Sequence, residues 1–197
     1  MADDRSDFAA DLPHVRFEVD TKPTGFLKLL FIRTAWQLPL TGKIPEARPV
    51  PNVGETRRPE NFSEDALCRM WSELWERTIR WYALRAADLT DVSTPLPRWD
   101  DISGEPDGVD VSAFHKWSWQ FRELAHAMEA EELAADDLFA ARSQGLRAVT
   151  VLPVAGDYVR RPAASNLIVS AELRRAPARY GSVLRSLPPL QPPRTED

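Results

Sequence analysis

Residues 63–87 restrict the possible folds of this chain more than any other stretch. At about 100° per residue, Leu67, Met70, Trp71, Leu74, Trp75, Thr78, Trp81 and Tyr82 fall within one broad arc, while Glu73, Glu76, Arg77 and Arg80 lie outside it. Ser63 stands where an N-cap belongs, and Glu64 and Asp65 follow in the first turn, where the helix dipole favours acids. The pattern predicts a helix from Ser63 to about Ala87 whose aromatic face is too large to leave in water. A second stretch of the same kind begins at Asp110 or Ser112. It places Phe114, Trp117, Phe121, Leu124, Ala125, Met128, Ala135, Leu138 and Phe139 on one face and runs to Gly145, a natural left-handed stop. Antiparallel packing of these two helices through their aromatic faces is the expected core.

Strand signals are short and lie towards the two ends. Residues 14–20 alternate Val15, Phe17 and Val19 with Arg16, Glu18 and Asp20, the period of a half-buried strand. Residues 146–154 and 166–171 are rich in Val, Ile, Leu and Thr and read as further strands. The stretch between them, 157–164, carries Arg160-Arg161-Pro162 and reads as a connection. The apolar run 26–35 fits either period; helix is the preferred reading. Pro177 suits the first position of a short terminal helix ending near Leu187, and 188–197 reads as a disordered tail. The fold class expected is therefore α+β, with two long aromatic-rich helices on a small mixed sheet. A single domain over 1–187 fits 197 residues of which 43% are hydrophobic.

Residues 39–62 form a proline-rich arm. Pro39, Pro45, Pro49, Pro51 and Pro59 preclude a continuous helix or a central strand. Such a segment either wraps its own domain or reaches a partner. The expectation is intermediate: Ile44 and Val50 anchor it, and the tip at 54–58 stays free.

Most chemistry is excluded by absence of pattern. One cysteine rules out an intramolecular disulfide framework and a zinc site of paired thiolates. No phosphate loop, dinucleotide fingerprint or nucleophile elbow occurs. The acidic loop 100–110 fits neither register of a calcium-binding loop. Glu123 and His126 have the i, i+3 spacing of a carboxylate-bridged metal site, but such a site needs a second pair. No metal and no cofactor are expected. The first eleven residues lack the basic and apolar regions of a secretory signal, and no window approaches the ~20 apolar residues of a spanning helix, so a cytoplasmic location is expected.

Charge is unevenly spread. Residues 86–141 hold thirteen acids against Arg98, Lys116 and Arg122, whereas 142–187 hold eight arginines against Asp157 and Glu172. Either the two regions face one another or are simply solvated, or the second offers a cationic surface for an anionic partner. On the flank of the second long helix, His115, Trp119, Arg122 and His126 lie beside the apolar stripe and could line a groove. The leading expectation is a non-enzymatic module that binds another protein, with His115, Trp119, Arg122, His126, Arg160 and Arg161 as contact residues. One alternative is a small-molecule or metal-dependent enzyme using His115, Arg122, Glu123 and His126. Another is nucleic-acid binding through Arg147, Arg160, Arg161, Arg174, Arg175 and Arg179.

Overall fold

A computed structural model of the chain describes residues 17–39, 44–87, 94–126 and 130–188, without the side chains of Glu123, Leu124 and His126. The expected strand residues 14–16 and the tail from 189 onward lie outside the described residues. In chain order the elements are β1 (Glu18–Asp20), α1 (Thr24–Ala35), α2 (Glu64–Ala87), α3 (Asp100–Ser103), α4 (Val111–His126), α5 (Ala130–Leu133), α6 (Ala135–Ser143), β2 (Ala148–Leu152), β3 (Val159–Ala163), β4 (Asn166–Ser170), α7 (Ala171–Arg174) and α8 (Pro177–Arg185). The fold is α+β, and its four strands form one mixed sheet in the order β1-β2-β4-β3.

Strands β1, β2 and β4 are parallel, with Val19 opposite Val149 and Val149 opposite Leu167. All ten residues of β2 and β4 are buried, as in strands covered on both faces. Residues 157–164 are not simply a connection: β3 pairs antiparallel with β4, Val159 opposite Val169. Main-chain pairing outweighs the unpromising Arg-Arg-Pro sequence because β3 is an edge strand. There Pro162 forfeits no essential donor, and the register breaks between Arg160 and Ala163.

Helix α2 follows its sequence pattern, and the Ser63 hydroxyl accepts the Ala66 N–H at 3.3 Å. The run 26–35 is helical. Every residue of α1 from Gly25 to Arg33 except Lys28 is buried, as an all-round apolar helix requires. This helix takes the place that direct packing of the two long helices was expected to fill. Phe26 meets Trp75 and Tyr82 of α2 at ring-centroid distances of 4.8 Å each. Phe31 meets Phe114 and Trp117 of α4 at 5.6 and 5.9 Å.

The expected continuous helix over 111–143 is divided into α4, α5 and α6. Ala134 leaves helical geometry at φ −116° and ψ 26°. The new axis buries Ala130, Ala134, Leu138 and Ala141 and brings α6 against α8, but leaves Ala135 and Phe139 exposed. The residues after 129 that face the core are mostly alanines, which offer too little apolar surface to hold the chain on the α4 axis. Gly145, at φ 92°, stops α6: its N–H donates to Arg142 O, and the Leu146 N–H donates to Ala141 O.

The described part of the arm, 44–62, wraps its own domain. Arg33 donates to the carbonyls of Ile44 (2.8 Å) and Pro45 (3.3 Å). Ala47 forms an antiparallel bridge with Val154, and the Trp117 indole donates to Pro49 O at 2.7 Å. Ile44 packs against the core as expected, but Val50 is 68% exposed and Ala47 is buried in its stead. The tip is also held. The Trp36 indole donates to Arg57 O, the Arg57 N–H to Gly108 O, and the Glu55 N–H to an Asp110 carboxylate oxygen. A segment with five prolines satisfies its carbonyls through side chains and loops because it cannot form a ladder of its own.

Candidate functional site

Helix α4 is fixed in rotation by its inner face. Phe114, Trp117, Phe121 and Ala125 are buried, and Asp110 caps the helix by accepting the Ala113 N–H at 3.0 Å. Two backbone amides, Ala113 and then Glu55, hold the Asp110 carboxyl below the usual range. That rotation turns Val111, His115 and Trp119 outward, spaced four residues apart along one side. Trp119 is 55% exposed and Val111 62%.

The guanidinium of Arg122 lies 4.0 Å from the centroid of the Trp119 ring, a stacked cation–π pair. Its Nε is shielded from solvent and meets no acceptor among the described residues. No hydrogen bond or ion pair holds Arg122 among the described residues. On the flank expected to carry His115, Trp119 and Arg122, the first two are exposed and Arg122 is half-buried. The side chains of His126 and Glu123 lie outside the described residues.

Arg160 and Arg161 are not joined to this face. Arg160 makes a bidentate pair with Glu76 of α2 at 2.8 and 3.0 Å, and Arg161 donates to the carbonyls of Ala164 and Pro188. Three further arginines of the basic segment are engaged as well. Buried Arg174 pairs with Glu131 and donates to Ala125 O, Arg179 pairs with Asp157 at 2.6 Å, and Arg185 pairs with Asp137 at 2.6 Å. Glu131 and Asp137 come from the acidic stretch, so the two charged regions do face one another. A guanidinium already paired with a carboxylate presents less net charge to a phosphate than a free one.

Among the described residues, no three metal-ligating side chains cluster, and no helix is long and apolar enough to cross a membrane. Trp36 and Trp99 are both buried and pack edge to face at 4.8 Å. A cavity between α1 and the arm, reached by Arg33 and Gln37, has no counterpart in the sequence expectations. The available signal was Arg33 itself, a charge inside the most apolar window of the chain. Comparison of this chain with protein-family models, with curated proteins and with solved structures finds no match.

Proposed function

We propose that this protein is a non-enzymatic interaction module whose contact surface is the outward side of α4. The observation that carries the reading is the Trp119–Arg122 stack. It is an exposed indole held by an arginine that has no other partner among the described residues, on a helix whose opposite face is locked into the core. Tryptophan and arginine are the residue types most enriched at interface hot spots, and a rigid helix presents them with little entropy left to lose. The unpartnered Nε favours a partner that brings an acceptor, a carboxylate or a backbone carbonyl. We place this activity in the cytoplasm, where a lone cysteine such as Cys68 stays reduced.

The test is comparative affinity capture from the native host, followed by binding measurements on the purified partner. Trp119→Ala and Arg122→Ala should each weaken binding by about 2 kcal/mol or more, as hot-spot truncations do. Leu84→Ala, at an equally exposed site on α2, should leave it unchanged. Equal capture by all variants would overturn the reading.

A further inference from the structure

The C-terminal half of α1 and the arm border an open cavity of about 380 Å³, within the size range of small-molecule sites. Leu30, Leu38, Ala47 and Val50 supply apolar walls. Arg33 also lines it, and Arg33 is only 7% exposed. Two of its N–H donors serve the carbonyls of Ile44 and Pro45, and its guanidinium lies 5.4 Å from the Trp71 ring centroid. Carbonyls and a ring face screen a cation without neutralising it. No carboxylate among the described residues comes within ion-pair distance. Glu46, exposed on the lining, acts on Arg33 only through its longer-range field. A buried charge without a counter-ion is costly, and here it borders an apolar cavity.

A second observation points to the same place. Gln37 adopts φ +52°, a left-handed conformation, at the position after the α1 C-cap where glycine is favoured. Its amide lines the cavity. Backbone strain kept at a cavity wall is a recognised mark of ligand sites.

We propose that this cavity binds a small organic carboxylate, with Arg33 as counter-ion, Gln37 as a hydrogen-bonding neighbour and the apolar walls holding the body of the molecule. The ligand is an acid with an apolar tail or ring, since a fully polar anion would leave the walls of Leu30, Leu38 and Val50 unused.

The probes are octanoate and 1-octanol, titrated calorimetrically into the full chain. Octanoate is expected to bind saturably, and 1-octanol about tenfold more weakly, the factor that one charge-assisted hydrogen bond supplies. Val50→Trp, a rim substitution at an exposed residue, should abolish octanoate binding. Glu46→Gln should tighten it by removing a repelling charge. Arg33→Met should equalise the two probes; because Arg33 also clamps the arm, the Val50 and Glu46 variants decide the matter if that protein fails to fold. Trp119→Ala should leave octanoate binding intact, which separates this site from the α4 surface. Absence of saturable octanoate binding, equal affinity for octanol, or indifference to Val50→Trp would overturn the proposal.

Discussion

Gln37 and Asp110 show how single side chains set local geometry here. At the end of α1 the Gln37 N–H donates to Thr34 O and the Leu38 N–H to Arg33 O, the paired bonds of a Schellman cap, with glutamine in the left-handed position. A side chain there costs about 1–2 kcal/mol. Glycine relieves that strain but adds freedom to the unfolded chain worth about 0.4–1 kcal/mol. Gln37→Gly should therefore raise stability by about 0.5–1 kcal/mol in urea melts while weakening octanoate binding; a destabilised variant would show that the strain argument is wrong. Asp110 caps α4 and accepts the Glu55 N–H, so its folded pKa is depressed. A depressed carboxyl contributes stability that is present above its unfolded pKa, about 3.9, and is lost as pH falls through the lower folded value. Asp110→Ala should lower the melting temperature at neutral pH and have a smaller effect near pH 2. An equal loss at both pH values would mean that the ionised cap is not the cause.

At the scale of elements, α1 organises the helical layer. Phe31 is fully buried and touches both Phe114 and Trp117. Phe31→Ala should cost about 3–5 kcal/mol, the range for large aromatic truncations in cores. Phe139 belongs to the apolar face of a continuous helix by sequence spacing, yet is 60% exposed because α6 runs on its own axis. Phe139→Ala should stay within about 0.5 kcal/mol of the parent. Urea denaturation of the two variants checks the pair, and a costly Phe139→Ala would restore the continuous helix. The edge strand β3 illustrates the same dependence on context, since nothing in Arg160-Arg161-Pro162 favours extended structure until β4 supplies the ladder.

Across the whole molecule, the arm and the ion pairs tie distant parts of the chain together. The Arg48 N–H donates to Pro153 O, the Ala155 N–H to Glu46 O and the Arg57 N–H to Gly108 O. In hydrogen exchange these three amides should be protected well above the rate of an unstructured peptide. Fast exchange at Arg57 with protection at Arg48 would return the tip to the free state that its composition suggests. Arg174–Glu131 and Arg185–Asp137 join the C-terminal helices to α5 and α6, so two arginines of the net positive segment are paired with the acidic stretch.

The sequence by itself determined those features whose cause is local. The 3.6-residue aromatic spacing of 64–87, the Ser63 cap, the Gly145 stop, Pro177 at the head of α8 and the Val- and Ile-rich runs of β2 and β4 all depend on backbone geometry and near neighbours. The outward position of Trp119 and Arg122 was legible for the same reason, because a helix flank follows from its apolar stripe. Tertiary structure alone decided the break between α4 and α6, the strand at Val159–Ala163, the place of α1 between α2 and α4, and the course of the arm. Each depends on a surface supplied by residues far away in sequence: β4 for β3, α8 for α6, the indoles of Trp36 and Trp117 for the arm. The cavity at Arg33 belongs to this second group, since a space between two elements is encoded in neither of them.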